Sequence, residues 1–374
     1  MSRQHLPGLD FWRALLLLGG LFVHGVMLHP DLVILQMVAF ASSGFRMAAF
    51  FTIAGYLAER SLRHREPSRW LQARTIRIGI PAVFGVLTIS PTIWWLTHDP
   101  REIADERARL IFDWHHLWFL YGLMIYQAAA FVIVRHISRR TIRRGLVTIR
   151  RQGQTKVSLM LTMLMLVLIA VTTAGVIVLV PAPYAPMSLH LRLIFGYLPL
   201  YLFGMALSAS PSLCRTMLVD ARQPALFLLA LAGVYALWRL ILTPMIPSGS
   251  RPQIEVAIEI IYGAICPAAA VLLVMRSALR IKRHSTLVAK LCAASFTIYV
   301  LHYPLIYVAH AIASRVAWSP LLEYGLAVVG VGLIAFAFHG VVVARHPLLA
   351  LLINGQVLRR RSGGDRRPPD RAPA

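Results

Sequence analysis

The sequence is poor in charged residues, and most of those it has are of one sign. Only 14% of its 374 residues are Asp, Glu, Lys or Arg, whereas 58% are hydrophobic. A soluble domain contains about 25% charged residues and about 45–50% apolar ones. The chain therefore has too few charges to cover a water-exposed surface, and its excess apolar area is expected to face lipid.

Cysteine is also scarce. Cys214, Cys266 and Cys292 lie far apart and lack the spacing of a redox or metal motif, so we interpret them as packing residues. The sequence has no HExxH pattern and no Cys/His set, and no metal site is predicted. The first apolar run is too long for a cleavable signal and lacks a small-residue cleavage site, so it is expected to stay as the first helix.

The chain is rich in apolar runs long enough to cross a bilayer, which takes about 20 residues per helix. These runs cover residues 11–28, 33–58, 78–97, 115–134, 157–181, 190–210, 224–243, 254–275, 290–311 and 320–343. We predict an all-α polytopic membrane protein with about ten spanning helices. Residues 1–345 would form the transmembrane domain, and residues 346–374 a basic tail whose end is disordered.

The Lys and Arg residues divide unequally between the two sides of this predicted membrane. The side that holds the N-terminus carries 28 of the 38, and the opposite side carries 5. The positive-inside rule then places both termini in the cytoplasm. Because topology explains the net charge of +23, we expect anionic membrane lipid as a partner and no nucleic acid.

The first apolar run contains Asp10, Arg13 and His24. Eleven helical steps place Arg13 and His24 on one face, about 16 Å apart along the axis. An elongated anionic substrate could meet Arg13 with its charged end and His24 with its reactive end. Alternatively, Arg13 only pairs with Asp10 at i, i+3 and His24 only hydrogen-bonds a neighbour, and the spacing leaves both interpretations open.

Arg46 lies in the middle of the second run, where a charge costs at least a few kcal/mol, and it is therefore expected to face a polar interior. Arg74 and Arg77 follow that run at i, i+3 and share a helix face. They could clamp phosphate groups, or they could only mark the membrane border.

Three further polar groups occur in later runs. His116 and Trp118 open the fourth run and could belong to an interfacial aromatic belt or to a site. His302 forms a polar stripe with Ser295 and Tyr299 at i, i+4 and i+7.

Glu255 and Glu259 share a face of the eighth run. They are expected to pair with Arg239 or Arg192, and a role in binding an external substrate remains open.

Taken together, these residues resemble the acyltransferase-3 family of integral-membrane O-acyltransferases. The resemblance includes the Arg13–His24 spacing in the first run and the Arg74–Arg77 pair. It extends along the chain through LDFWRALLLLGGLFVH, FRMAAFFTIAGY, RTIRIGIP, HLWFL, GYLPLYLFGMAL, SFTIYVLHYPL and RHPLLALLINGQ. Within the family, the likeness is to the succinyltransferases of osmoregulated periplasmic glucans.

The resemblance implies ten spans in the inner membrane and a donor used as a substrate, acyl-CoA and in particular succinyl-CoA, with no tightly bound cofactor. It implies a periplasmic glucan as the acceptor and the glucan synthesis machinery as a candidate partner. Under this hypothesis His24 is the base, Arg13 held by Asp10 orients the donor, and Arg74 and Arg77 bind coenzyme A.

Other residues would line the substrate pocket under the same hypothesis, namely Arg46, His116, Trp118, His302, Glu255 and Glu259. A different acceptor, such as lipopolysaccharide, a capsule or another glycoside that receives an acetyl group, remains open. A transporter or flippase would use intramembrane Arg and His residues equally well, although no internal repeat supports inverted halves.

Overall fold

The structure is a computed structural model that describes residues 6–97, 114–180, 190–246, 251–283, 285–316 and 318–356. Within these ranges the regular elements are helices, and ten of them are long and apolar enough to cross a membrane. This confirms the predicted all-α, multi-pass architecture.

In chain order the helices are α1 (Pro7–Leu28), α2 (Val33–Leu62), α3 (Pro67–Thr97), α4 (His115–His136), α5 (Arg139–Leu179), α6 (His190–Ala209), α7 (Pro211–Leu218), α8 (Arg222–Met245), α9 (Arg251–Arg280), α10 (Thr286–Ala313), α11 (Pro320–Val343) and α12 (Pro347–Asn354).

Helices α3 and α5 begin well before the apolar runs at 78–97 and 157–181 that predicted them. Hydropathy locates only the lipid-facing part of a helix, whereas a capped helix can continue into water. The Glu66 side chain caps α3 by accepting the backbone N–H groups of Ser68 and Arg69, and these bonds lower the pKa of the Glu66 carboxyl. As a result, Arg74 and Arg77 belong to α3 itself.

Helices α2 and α6 cross with their backbones in contact. If Gly55 were replaced by a residue with a Cβ atom, that atom would overlap the backbone carbonyl of Tyr201. A Cβ atom at Gly204 would likewise overlap the backbone carbonyl of Thr52. Small residues at such crossings allow membrane helices to approach backbone to backbone. This contact fixes α2, which carries Arg46, against α6.

Contacts between helix termini define two ends of the bundle. Trp12 Nε1 donates to Ser277 Oγ at 3.1 Å, which joins the start of α1 to the end of α9. Arg63, just after α2, donates to the carbonyl of Ser208 near the end of α6. We call this the basic end, because α3 also begins here and brings Arg74 and Arg77 with it.

The far end lies on the opposite side of the bundle. There the Glu323 carboxylate lies 2.9 Å from His29 Nε2 and 2.6 Å from His310 Nδ1. These hydrogen bonds join the residue that follows α1, the last turn of α10 and the first turn of α11.

The predicted tail at 346–374 begins with a helix that is packed into the bundle. Ile353 and Asn354 of α12 are buried, and Thr297 Oγ1 of α10 donates to Asn354 Oδ1 at 2.8 Å. Because α12 is almost wholly apolar, packing against α3 and α10 removes it from water. The predicted disorder at the end of the tail falls in residues 357–374, which lie outside the described ranges.

We expect Gly204→Ala to lower the stability of the purified protein by about 1–3 kcal/mol, because the added methyl group would force α6 away from α2. Thermal unfolding in detergent would measure the change. Gly175→Ala in α5 is the matched control, since it gains the same helix propensity at a position with open space around it. Equal melting temperatures for the two variants would show that the crossing tolerates separation.

Candidate active site

Three histidines from distant parts of the chain converge inside the bundle. The ring centroid of His302 lies 5.1 Å from that of His24 and 5.1 Å from that of His116, and the His24 and His116 rings are 6.0 Å apart. His116 and His302 are buried, and His24 is half-buried. The sequence singled out each residue separately, and the structure brings them together.

Backbone carbonyls fix the orientation of two of these rings. His302 Nδ1 lies 2.6 Å from the carbonyl oxygen of Tyr299, and His116 Nε2 lies 3.3 Å from that of Val300. A carbonyl only accepts hydrogen bonds, so each of these nitrogens carries the proton. The other nitrogens, His302 Nε2 and His116 Nδ1, are then free to accept, and they have no hydrogen-bond partner among the described residues. Both can receive a proton or a hydrogen bond from a substrate.

Two tyrosines of α10 complete the cluster. The Tyr303 ring lies 4.5 Å from the His24 ring and 5.1 Å from the His116 ring. The Tyr299 hydroxyl donates to the carbonyl of His116. The predicted polar stripe on α10 therefore reaches the site at Tyr299 and His302, whereas Ser295 donates to the Cys292 carbonyl of its own helix. Tyr303 was not among the residues predicted from the sequence, although the motif HYPL places it directly after His302.

Arg46 lies beside the histidines. If residue 20 carried a Cβ atom, that atom would lie 3.2 Å from both Arg46 Nη1 and His302 Nε2. The guanidinium of Arg46 and the imidazole of His302 therefore face the same point on α1. Arg46 is only 8% exposed and has no carboxylate within ion-pair distance in the described part of the chain. It interacts electrostatically with Tyr299 and Tyr197. A buried cation next to imidazole acceptors suits a reaction in which an oxygen becomes negative.

A group of arginines occupies the basic end. Arg13 Nη1 lies 3.6 Å from Asp10 Oδ1, and Arg13 also interacts electrostatically with Arg77 and Arg74. The Arg74 guanidinium lies 6.0 Å from the centre of the Trp70 ring, and the Arg77 side chain is exposed. Three guanidinium groups around one carboxylate leave a local excess of positive charge, which phosphate groups can neutralise.

A cavity of about 620 Å³ opens in the half of the bundle toward the far end. Its wall includes Val23 and Met27, which flank His24 on α1, and Tyr197, which interacts with Arg46. Cavities of this size bind small ligands in many proteins. The cavity therefore borders the segment of α1 that carries His24, although none of the three histidines is among its lining residues.

The polar residues of this cavity include two arginines with different surroundings. Arg239 Nη1 pairs with Glu255 Oε1 at 2.7 Å, whereas Arg192 has no ion-pair partner among the described residues. Of the two arginines that the sequence left open as partners of Glu255, the structure selects Arg239. Glu259 belongs to α9, but its side chain lies outside the described residues.

Trp118 makes no ring contact with His24, His116 or His302. Its ring stacks on those of Tyr197 and His190, with centroids 6.4 Å and 6.3 Å away. It thus supports the cavity wall at Tyr197. In the described ranges, no group of three or more His, Cys, Asp or Glu residues is arranged to hold a metal ion.

Comparison with known proteins gives one family. No curated protein and no solved structure matches the chain. Residues 6–340 match the family model that is described as an acyltransferase domain, and they include the histidine cluster, the arginines of the basic end and the far-end cavity. Since this match covers nearly the whole sequence, the chain belongs to the acyltransferase-3 family and is a membrane acyltransferase.

Proposed function

We propose that the protein transfers a succinyl group from succinyl-CoA to hydroxyl groups of osmoregulated periplasmic glucans. One observation carries this proposal: the cluster of three histidines and Arg46 lies between an arginine site at one end of the bundle and a cavity toward the other. A donor bound at the first could react with an acceptor bound in the second, and neither substrate would cross the membrane.

The distribution of charge supplies the orientation. The side with 28 of the 38 basic residues would be cytoplasmic, so the basic end faces the compartment in which acyl-CoA is made. Both termini would then be cytoplasmic, the protein would lie in the inner membrane, and the far-end cavity would open toward the periplasm.

In this mechanism the donor enters at the basic end. Arg74 and Arg77 would bind the phosphates of coenzyme A, and Arg13, held by Asp10, would orient the donor as it extends along α1. His24 lies about 16 Å deeper than Arg13 by helix rise. The thioester would therefore reach the histidine cluster while the nucleotide stays at the membrane surface.

His24 would act as the general base, because its neighbours Val23 and Met27 line the cavity that would hold the sugar. It takes the proton of the sugar hydroxyl as that oxygen attacks the thioester carbonyl carbon. The new C–O bond forms, the C–S bond breaks, and the thiolate of coenzyme A leaves and receives the proton. Arg46 would stabilise the negative carbonyl oxygen in between.

The arginines also bear on the choice of acyl group. Arg192 lines the cavity, and Arg46 interacts electrostatically with Tyr197 of the cavity wall; neither arginine has an ion-pair partner among the described residues. A succinyl group carries its own carboxylate and could satisfy one of these cations, whereas an acetyl group could not. This contrast favours succinyl transfer over acetylation of lipopolysaccharide, a capsule or another glycoside.

We expect His24→Ala to reduce acyl transfer by about 10²–10⁴-fold while expression and membrane insertion stay normal, because the change removes the general base. Transfer of labelled succinyl from succinyl-CoA to purified glucan would measure the loss. His136→Ala, at an exposed histidine at the end of α4, is the matched control. Near-normal transfer by a well-inserted His24→Ala protein would exclude His24 as the base.

We expect Arg74→Ala and Arg77→Ala each to raise the apparent KM for the donor, and the double variant to raise it further. Each charged hydrogen bond is worth about 1.5–3 kcal/mol, so each loss corresponds to at least about a tenfold change. Steady-state kinetics against succinyl-CoA, with Arg144→Ala in the exposed basic stretch as control, would test this. An unchanged KM in the double variant would mean that the pair serves only membrane topology.

Deletion of the gene should leave periplasmic glucans present but less anionic, because each succinyl group adds one carboxylate to a sugar backbone that is made elsewhere. Anion-exchange chromatography and mass spectrometry of glucans from wild-type and deletion strains would show the shift. Identical charge distributions would reject the glucan as acceptor and favour lipopolysaccharide or capsule. Loss of the glucan itself would indicate a role in its synthesis or export.

A further inference from the structure

The last described helix lies beyond the residues that the family model matches. The family match ends at residue 340, and α12 spans Pro347–Asn354. This helix is nevertheless fixed in the bundle, because Asn354 is buried and accepts a hydrogen bond from Thr297 of α10. Thr297 precedes His302 on the same helix by five residues.

Helix α12 ends in a left-handed glycine cap. Gly355 has φ 59°, its N–H donates to the Leu351 carbonyl at 2.9 Å, and the N–H of Gln356 donates to the Ala350 carbonyl at 3.0 Å. This cap contacts α3, since a Cβ built on Gly355 would collide with the backbone carbonyl of Arg77. Both the backbone angle and the contact therefore require glycine.

The Arg77 carbonyl, which Gly355 contacts, lacks the usual hydrogen bond within its helix. In an α-helix the carbonyl of Arg77 would accept the N–H of residue 81, but residue 81 is a proline inside α3 and has no N–H. The proline thus removes the local hydrogen bond that would fix the Arg77 peptide group. The end of α12 packs at this point of α3 and restricts the movement that the missing bond allows.

We propose that the segment 347–355 is a positioning element for the donor site. Gly355 packs against the turn of α3 that carries Arg74 and Arg77 and restricts its movement. The hydrogen bond between Asn354 and Thr297 connects the same segment to α10, the helix of His302. Gly355 touches no substrate and acts through Arg77. The inference rests on the proposed role of Arg74 and Arg77 in binding coenzyme A.

Gly355→Ala in the full-length protein tests the proposal. We expect it to weaken the binding of coenzyme A, measured by calorimetry, by about tenfold. A guanidinium group that is displaced from the phosphates loses most of its contribution to the free energy of binding. The kcat at saturating donor should stay within about twofold of the wild-type value, since the histidine cluster is unchanged. Gly330→Ala in α11, where a methyl group meets nothing within 4 Å, is the matched control.

Hydrogen exchange supplies a readout that does not depend on activity. Gly355→Ala should speed amide exchange in residues 74–80 of α3, whereas Gly330→Ala should not. Thr297→Val, which removes the hydrogen bonds of the Thr297 hydroxyl with Asn354 and with His339 at nearly constant side-chain size, should act in the same direction and serves if Gly355→Ala misfolds.

The outcomes separate this inference from the proposed function. If wild-type protein does not bind coenzyme A but exchange in 74–80 still depends on Gly355, the donor role is wrong and the coupling stands. If coenzyme A binds and neither its affinity nor the exchange responds to Gly355→Ala or Thr297→Val, the positioning role is wrong. A fall in kcat without any change in coenzyme A affinity would also contradict it.

Discussion

The site depends on the burial of one guanidinium group, that of Arg46, in a largely apolar bundle. Arg46 has no carboxylate within ion-pair distance in the described ranges, and a cation inside a membrane is costly without compensation. Its neighbours are imidazole and phenol groups, and Gly20 gives it room against α1. The buried charge raises the free energy of the protein without substrate. It becomes favourable when an oxygen atom beside it turns negative, as the carbonyl oxygen does during acyl transfer.

The helices packed around Arg46 fix the position of its guanidinium group. The turn at Gly44 and Phe45 divides α2, so that Arg46 begins a new helical segment inside the bundle. The same segment crosses α6 at Gly55 and Gly204, where backbone meets backbone. A close crossing of this kind leaves little freedom for either helix, and a charged group that must act on one atom of a substrate needs that restriction.

The two ends of the bundle offer different chemistry. The basic end collects the guanidinium groups of Arg13, Arg74 and Arg77, of which Arg13 pairs with Asp10, and this excess of positive charge suits phosphate recognition. The far end contains a cavity whose one ion pair, Arg239 with Glu255, leaves Arg192 without a partner among the described residues. His24 of the histidine cluster shares α1 with Arg13, and its neighbours Val23 and Met27 line this cavity. The proposed function uses this division, with the donor at the basic end and the acceptor in the cavity.

The sequence by itself determined the helical class, the approximate spans and the charge asymmetry, and it offered the pairing of Asp10 with Arg13 within one helix as one of two interpretations. These follow from composition and from the helical repeat, which are local. Only the tertiary structure decided that His24, His116 and His302 meet and that α12 packs against α3. The helical repeat gives a side chain's direction about its own axis, whereas the rotation and lateral order of helices depend on side-chain packing, because lipid tails are as apolar as the helix faces.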